Sequence, residues 1–342
     1  MEDAILLSHG SGGKLSHDLI DRVFRPAFRN DVLDQGDDAA VFDLPASGRL
    51  AMTTDTYVVK PLFFPGGDIG RLAVCGTVND LSMVGATPHY LTAGFVLEEG
   101  LSMETVRRVA LSMAATAQEA GVSIVTGDTK VVQRGEADGL FINTAGLGVV
   151  PNGLHVSGNL ACPGDVVIVS GSVGDHGIAV VSQREGLAFQ TEVRSDVAPL
   201  NGLVAALLEA GRSSGLPSPV HVLRDPTRGG LATTLNEIAR QSGVAVRLEE
   251  TSIPVRSQVR VACEMLGYDP LYVANEGKLI AVVDARFAPQ ALACLRSQPF
   301  GSEAAIVGEV VAEPVGRVFM KTRIGGTRIV DMLTGEMLPR IC

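Results

Sequence analysis

Aspartates recur along the first half of the chain at what we predict to be the ends of helices and strands, in a pattern that suits metal and phosphate chemistry. Carboxylates are the hard oxygen ligands that Mg²⁺ uses when it bridges a protein and nucleotide phosphates. An isolated aspartate in such a segment is more often a turn residue or a helix cap. For the set as a whole we predict metal binding if the fold brings its members together; they are Asp38, Asp55, Asp80 and Asp128, with Asp225 from the second half.

A glycine-rich segment lies near the N-terminus and reads His9-Gly10-Ser11-Gly12-Gly13-Lys14. Its exposed backbone N–H groups could fold over phosphates. It is not a Walker A motif, because Leu15 follows Lys14 and no glycine lies five residues before Gly13. By itself the segment is equally consistent with a mobile loop.

Cys342 ends the chain, and a thiol at this position could enter an active site as a substrate. Pro339 cannot continue a helix and favours an extended Leu338, so we expect a peptide arm that leaves the body of the protein. A prenylation signal is excluded, because it needs three residues after its cysteine. The alternative is an inert cysteine at a frayed terminus.

The composition predicts an α/β protein with mixed sheets. Hydrophobic residues make up 46% of the 342 residues and aromatic residues only 4%, so small aliphatic side chains must fill the cores. The chain is long for one ordinary core, and two domains are the natural expectation. A net charge of -10 without a basic run argues against a nucleic-acid partner.

Cysteine usage and the absence of a targeting segment favour the cytoplasm. The cysteines have neither a CxxC pair nor a histidine cluster nearby, so we expect no disulfide framework and no zinc site. The N-terminus lacks the basic region of a signal peptide, and no apolar run approaches the roughly 20 residues that span a bilayer. We therefore expect no membrane contact.

Apolar periodicity places the main elements. Ser102 can cap a helix over residues 103–120 that Gly121 ends. Further helices are predicted over 198–210 and 230–241. Strands are predicted over 50–54, 122–126, 140–150, 164–170, 244–248 and 279–283.

The motifs occur in an order that resembles HypE, a family of NiFe-hydrogenase maturation factors also called carbamoyl dehydratases. The segment from Asn79 to Pro88 is similar to one in aminoimidazole ribonucleotide synthetases, selenophosphate synthetases and thiamine-monophosphate kinases. The terminal Pro339-Arg340-Ile341-Cys342 is typical of HypE. The other matching motifs are the glycine-rich segment, Gly36-Asp37-Asp38-Ala39-Ala40, Thr54-Asp55 and Thr126-Gly127-Asp128-Thr129-Lys130-Val131-Val132.

The resemblance, which covers nearly the whole chain, implies a PurM-like architecture of two α/β domains. Residues 1–155 would bind ATP and Mg²⁺ and pair their sheet with that of a second subunit, in a homodimer. Residues 156–328 would form a C-terminal α/β domain. Residues 329–342 would be a mobile tail that carries the substrate cysteine.

The resemblance also implies a reaction and its partners. A HypF-type carbamoyltransferase would place a carbamoyl group on the thiol of Cys342. ATP-dependent dehydration would convert this thiocarboxamide to a thiocyanate, and a HypC–HypD complex would accept the cyano group as a ligand for hydrogenase iron.

The roles of individual residues come from positions that match the family. Cys342, Lys130 and Glu276 are the catalytic candidates, with Glu276 as the base and Lys130 polarising the oxygen or the phosphate. Asp37 and Asp38 divide metal binding and orientation between them in an order that the sequence leaves open. Contacts to the nucleotide are expected from Gly10, Ser11, Gly12, Gly13, Asp37, Asp55, Asn79, Thr126, Gly127 and Arg228.

Two other readings compete with this one. A sister enzyme of the same superfamily could share the ATP site, but a selenophosphate synthetase is expected to carry a reactive cysteine or selenocysteine in the loop that here reads Ser11-Gly12-Gly13. A thiamine-phosphate kinase would not require Cys342. A scaffold without catalysis would bind maturation partners through its tail.

We predict that Cys342→Ala abolishes the chemistry, because no other thiol can take the place of a substrate at the end of the tail. Serine at Cys75, Cys162, Cys263 or Cys294 should spare it, since we expect these residues to be buried packing residues. Mass spectrometry of the modified C-terminal peptide measures both outcomes. Loss of activity in all five variants would contradict the assignment.

Overall fold

The computed structural model describes residues 4–10, 14–35, 40, 47–186, 193–334, 338 and 340–342. Among these residues, no helix is long and apolar enough to cross a membrane. The helices are α1 Lys14–Leu19, α2 Arg25–Phe28, α3 Ile69–Met83, α4 Met103–Ala120, α5 Asp175–Arg184, α6 Asn201–Ser213, α7 Gly230–Ser242, α8 Ser257–Leu266 and α9 Ala288–Arg296. Single 3₁₀ or π turns cover Leu7–Gly10, Ile20–Phe24, Leu33–Gln35, Glu250–Ser252 and Pro270–Tyr272.

The strands form two large sheets and one short hairpin. The first sheet has the order β1-β6-β4-β5, the second has the order β13-β12-β9-β11-β7-β10-β8, and β2 pairs with β3. The strands are β1 Arg49–Tyr57, β2 Phe63–Phe64, β3 Gly67–Asp68, β4 Thr87–Glu98, β5 Ser123–Val132, β6 Leu140–Val150, β7 Val166–Val169, β8 Val220–Arg224, β9 Ala245–Glu249, β10 Ile280–Val283, β11 Ala305–Val311, β12 Val318–Lys321 and β13 Thr327–Ile329.

Among the residues that the structure describes, the first sheet is covered on one face only. Alternate residues of β4 and β6 point into a core with α3 and α4, as the period of two in a strand requires. The other face is open, and on β1 it exposes Leu50 to 57% and Met52 to 77%. The pairing is antiparallel except between β4 and β5.

The second sheet carries helices on both faces. Side chains of α6 and α9 pack on one face with Ile168 and Ala281, and side chains of α7 pack on the other with Val167 and Val282. This layering explains why β7 and β10 read as nearly continuous apolar runs, since both faces of these strands are buried.

One hydrophobic core joins the two halves of the chain. It contains the inner face of the first sheet together with buried residues of α5 and α8, and with Val273 and Ala274. Leu338 and Ile341 from the C-terminal tail belong to the same core. The tail therefore lies where the two halves meet.

The structure confirms the helix predicted over residues 103–120. Ser102 Oγ accepts the backbone N–H of Thr105, and Gly121 ends the helix with a φ of 69°. Helix α3 was not predicted, because buried residues occur on every side of this helix and leave no amphipathic stripe. Strand β6 has the predicted bounds, whereas β1 and β5 extend beyond theirs.

Three of the aspartates occupy different places from those expected. They were predicted to lie at the ends of elements, but Asp55 lies within β1, Asp80 within α3 and Asp128 within β5. The reason is that β1 and β5 continue through polar residues that face solvent or the second half of the chain.

We predict that Gly277→Ala destabilises the protein by about 1–3 kcal/mol, the usual cost of overpacking. A Cβ atom at this position would lie 1.7 Å from the backbone oxygen of Asp196, so the main chain would have to move. Gly202→Ala in α6 is the matched control, because its Cβ would meet nothing within 4 Å. Thermal unfolding compares the two, and equal midpoints would contradict this reading of the contact.

Candidate functional site

The C-terminal tail lies in a groove beside the segment that follows β1. The backbone N–H of Val58 donates to a terminal carboxylate oxygen of Cys342 over 3.2 Å, and the N–H of Lys60 donates to the carbonyl of Arg340 over 3.1 Å. The tail was predicted to be an extended arm that leaves the body, but the described tail residues pack against the body, and Arg340 has a φ of 54°, in the left-handed region. This position is the inward one that a substrate arm must reach.

Charged and polar contacts hold the tail on its other sides. The guanidinium group of Arg340 forms an ion pair with Asp138, whose carboxylate also accepts Lys60 Nζ at 3.1 Å. The carbonyl of Ile341 accepts a hydrogen bond from His176 Nε2 at 2.6 Å. Neither His176 nor Asp138 was predicted as a site residue, because neither lies in a motif with recognisable spacing.

Cys342 lines a cavity of about 340 Å³ that Arg228, Gly229, Tyr272 and Ala274 also line. Burial above all, with a smaller contribution from Glu276 and against the opposing effect of Arg228, raises the pKa of its thiol to about 12. The thiol is therefore protonated at neutral pH in this position.

Glu276 lies within interaction range of Cys342 and is almost completely buried, with 3% of its surface exposed. Burial raises its pKa well above the usual value, and the charges of Asp225, Asp196, Asp55 and Asp80 raise it in the same direction. Within the described part of the chain, Glu276 Oε1 has no hydrogen-bond partner. An unpartnered buried carboxyl oxygen with a raised pKa is suited to accept a proton from a substrate.

Glu276 belongs to a group of carboxylates drawn from both halves of the chain. Burial, followed by the charge of Asp80, raises the pKa of Asp225 to about 7. Burial also raises the pKa of Asp80, although a 2.9 Å hydrogen bond from Thr53 opposes the change. Three predicted metal ligands, Asp55, Asp80 and Asp225, thus lie within electrostatic range of the predicted base, but no three of these carboxylates have oxygens that all lie within 4.8 Å of one another.

The loop before α7 closes this group from the side of the second domain. Gly229 and Gly230 have φ values of 76° and 59°, in the region that favours glycine. A Cβ atom on Gly230 would lie 2.6 Å from the backbone oxygens of Leu271 and Val273. Two glycines therefore let the loop approach the segment of residues 271–273 that precedes Glu276. Arg228 remains exposed and lines the same cavity as Cys342.

Asn79 has a different place from the one predicted for a nucleotide contact. Its amide is buried, donates to the carbonyls of Ala198 and Glu276, and accepts the N–H of Leu200 at 2.8 Å. In this structure Asn79 links α3 to the backbone of Glu276, which makes it a positioning residue for the site.

A buried ion pair holds the same backbone from the opposite direction. Asp196 accepts the N–H of Glu276 at 3.1 Å and Lys278 Nζ at 3.1 Å. Burial alone would raise the pKa of Asp196, but Lys278 and His176 keep it below its usual value, so the carboxylate is ionised. Neither Asp196 nor this use of Lys278 was predicted, since they are 82 residues apart.

Asp128 and Lys130 lie on the open face of the first sheet, away from Asp55. In the sheet register, Asp55 pairs with Thr144 on the inner face, whereas Asp128 pairs with Gly94 on the outer face. The carboxylate of Asp128 and Lys130 Nζ are 2.9 Å apart, and the lysine lowers the pKa of that carboxyl group. A single copy of the chain therefore does not bring Lys130 to Glu276.

The remaining predicted residues fall into two groups. Thr126 and Gly127 lie on β5 beside a cavity of about 330 Å³ under the N-terminal helices, and Gly10 ends the turn Leu7–Gly10. A side chain at Gly127 would collide with the backbone oxygen of Ala93. The other group lies outside the described residues and consists of Ser11, Gly12, Gly13, Asp37 and Asp38.

The four internal cysteines are partly as expected. Cys75 and Cys263 are buried, Cys294 is partly buried, but Cys162 is exposed, which corrects the prediction for that residue. Cys162 lies near Asp165 and His221. We assign this group a structural role, because the Asp165 carboxylate already accepts the N–H of Cys162 and His221 Nδ1, each at 2.7 Å.

Comparison with known proteins agrees with a two-domain fold. Residues 36–150 match the N-terminal domain of AIR synthase related proteins, and residues 162–321 match their C-terminal domain. The chain is 57% identical over 339 residues to carbamoyl dehydratase HypE of Azotobacter vinelandii, covering 99% of this chain and 97% of that protein.

Two solved structures have the same overall fold. A hydrogenase maturation protein HypE in complex with ATP gives a TM-score of 0.93 at 53% identity, covering 98% of this chain and 99% of that one. A chain of a HypE–HypF complex gives 0.80 at 50% identity, covering 92% and 99%.

We predict that Asp225→Asn stabilises the protein above pH 7, by an amount on the order of 1 kcal/mol. A carboxyl group whose pKa is about 7 in the folded chain and near 4 in the unfolded chain makes stability fall as the pH rises between these values. The stability of Asp225→Asn does not fall in this way. The variant should therefore exceed the parent in stability by the full amount above pH 7 and by nothing near pH 4.

Thermal unfolding from pH 4 to pH 8 measures this difference. Asp31→Asn is the control, because Asp31 is exposed. A constant difference between Asp225→Asn and the parent over the whole range would contradict the predicted titration.

Proposed function

The chain belongs to the HypE branch of the AIR synthase related family, and on this basis we propose that it is an ATP-dependent carbamoyl dehydratase that acts on its own Cys342. The substrate is the carbamoyl group carried by that thiol, and the product is a thiocyanate, the source of a cyanide ligand in NiFe-hydrogenase assembly. The observation that carries the proposal is the binding of the tail in its groove, which brings the terminal thiol within electrostatic range of the buried carboxyl group of Glu276.

The reaction needs ATP because a carboxamide oxygen is a poor leaving group until it is phosphorylated. Transfer of the γ-phosphoryl group to that oxygen, with loss of one nitrogen proton, gives an S-bound imidate phosphate. Departure of phosphate with the second nitrogen proton leaves the C≡N group. One water is thus removed from the carboxamide, and its oxygen leaves in the phosphate.

We assign the proton acceptor to Glu276. Its raised pKa means that the carboxyl group holds a proton strongly, and its unpartnered Oε1 is free to receive one. Before it can act as a base, Glu276 must be ionised, and a cation in the acidic group would favour that state. Asn79 and Asp196 hold its backbone during the reaction.

The donor set at this site fits Mg²⁺. Asp55, Asp80 and Asp225 offer oxygen ligands only, and burial, with the charge of neighbouring carboxylates, raises the pKa values of Asp80 and Asp225, an effect that a bound cation would oppose. When bound, Mg²⁺ would neutralise charge on the phosphates. We retain Asp38 and Asp128 as further candidate ligands, and Asp37 and the glycine-rich segment as candidate phosphate contacts.

A homodimer accounts for the open face of the first sheet. Leu50 and Met52 leave apolar surface there, and a second copy that packs its own sheet on this face would bury it. The same packing would place Asp128 and Lys130 at the boundary between two subunits, where Lys130 could reach phosphate. We also propose the division into residues 1–155, 156–328 and 329–342, supported by the gap between β6 and β7.

The partners follow from the reaction. A HypF-type carbamoyltransferase must reach Cys342, so the tail has to leave the groove in which the structure places it. A HypC–HypD complex is the proposed acceptor of the cyano group. The solved complex of a related HypE with HypF supports the first of these partners.

We predict that the carbamoylated chain loses one water from the peptide containing Cys342 when MgATP is added. Mass spectrometry before and after addition measures this loss. A carbamoyl adduct that never loses water would favour a carrier or scaffold. Failure of HypF to modify Cys342 would favour a sister kinase.

The same assay tests Glu276→Gln, which we expect to slow the loss of water by about a hundredfold or more, in the range of general base catalysis. Glutamine keeps the shape of the side chain but cannot accept the proton. Glu264→Gln, an exposed change on α8, is the control. Normal turnover of a folded Glu276→Gln variant would remove Glu276 from the mechanism.

A further inference from the structure

His176 lies in the first turn of α5 and is completely buried between the tail and the short hairpin. Its ring meets the edge of Phe64 at 5.4 Å between centroids, nearly perpendicular. Its two nitrogens each have a polar partner, Ser195 Oγ at 2.8 Å from Nδ1 and the carbonyl of Ile341 at 2.6 Å from Nε2. No motif in the sequence marks this residue.

The partners of His176 determine where its proton lies. A carbonyl oxygen can only accept a hydrogen bond, so Nε2 of His176 carries the proton and donates it in the hydrogen bond to the carbonyl of Ile341. Burial lowers the pKa of His176, which leaves Nδ1 without a proton and able to accept from the hydroxyl of Ser195. Ser195 Oγ in turn accepts the N–H of Val197 at 3.1 Å. The chain of hydrogen bonds therefore selects the tautomer that binds the tail.

The bond to Ile341 completes the recognition of the tail backbone. The N–H groups of Val58 and Lys60 donate to main-chain oxygens of Cys342 and Arg340 on one side of the tail. The intervening carbonyl of Ile341 accepts from His176, which lies on another side. Contacts on both sides fix the position of the tail and its rotation about its own axis, which bonds on one side alone do not.

The same turn of α5 touches the segment that leads to Glu276. The N–H of Gly177 donates to the carbonyl of Ala274 at 3.1 Å. A Cβ atom at Gly177 would lie 2.6 Å from Val273 Cγ1 and 3.1 Å from Leu338 Cδ1, so both the segment and the tail press against this turn. His176 thus lies on the turn of α5 that contacts both the tail and the segment leading to Glu276.

We propose that His176 is a positioning residue, whose Nε2–H sets the register in which the tail presents Cys342 to Glu276. The link to catalysis rests on the proposed function. The effect on the tail itself does not, because the accessibility of Cys342 can be measured without any carbamoyl chemistry.

The test compares His176→Leu with His176→Gln in the full-length chain. Leucine removes the donor, whereas glutamine can place an amide N–H near the position of Nε2. Each variant is treated with iodoacetamide from pH 7 to pH 10, and labelling of Cys342 is measured relative to the exposed Cys162 in the same sample. His89→Gln on β4 is the control for loss of a histidine outside this chain of hydrogen bonds.

We expect His176→Leu to label Cys342 about fivefold faster at pH 8, the shift in population that loss of one hydrogen bond produces. The pH profile of labelling should also move below the value near 12 that burial gives the thiol, because a released thiol leaves Glu276 and Asp55 and enters solvent. His176→Gln should lie closer to the parent, and His89→Gln should match it.

Two results would overturn the proposal. One is labelling of His176→Leu at the parental rate and with the parental pH profile. The other is equal acceleration in the leucine and glutamine variants, which would show that the ring acts by packing and not as a donor. If His176→Leu does not fold, Ser195→Ala gives the same comparison, since it removes the donor to Nδ1 and should accelerate labelling in the same direction.

The dehydration assay separates this inference from the proposed function. If the carbamoylated parent loses water, His176→Leu should be slower and His176→Gln should recover part of the rate. If the parent never loses water, the proposed function fails, while the labelling experiment still decides whether His176 holds the tail.

Discussion

Negative charge gathered at the junction of the two domains is the constraint on which the rest of this structure depends. Burial raises the pKa values of Glu276, Asp225 and Asp80, and the negative charges of neighbouring carboxylates, including Asp55, raise them further. Buried carboxyl groups at such a junction keep their positions only if the backbone that carries them is held in place. Asn79 and the Asp196–Lys278 ion pair do this at Glu276, and an ion pair buried in this way contributes position more than stability.

Local chemistry in the sequence predicted individual elements well. Ser102 and Gly121 define both ends of α4, because a side-chain cap and a left-handed glycine act over a few residues. Glu276, Asp225 and Cys342 were selected from motifs, and Asp225 and Cys342 each lie within electrostatic range of Glu276. Periodicity was informative wherever one face of an element is polar, and it failed at α3, which is buried all round.

The remaining features depend on contacts between distant parts of the chain. The sequence could not show that Asp128 and Lys130 face away from Asp55, since a shift of one residue in the register of β5 would reverse their side. Nor could it show that His176 and Asp138 meet the tail, because 165 residues separate His176 from Ile341. These positions are fixed by the shared core, to which both halves and the tail contribute.

The packing of Leu338 and Ile341 in that core makes the tail a ligand tethered to its own receptor. A tethered ligand binds at an effective concentration that reaches the millimolar range for a short flexible connection, so weak intrinsic affinity is enough to fill the groove. Weak affinity also permits rapid departure. The same groove can therefore be occupied most of the time and still release its occupant to another enzyme, without any separate machinery for ejection.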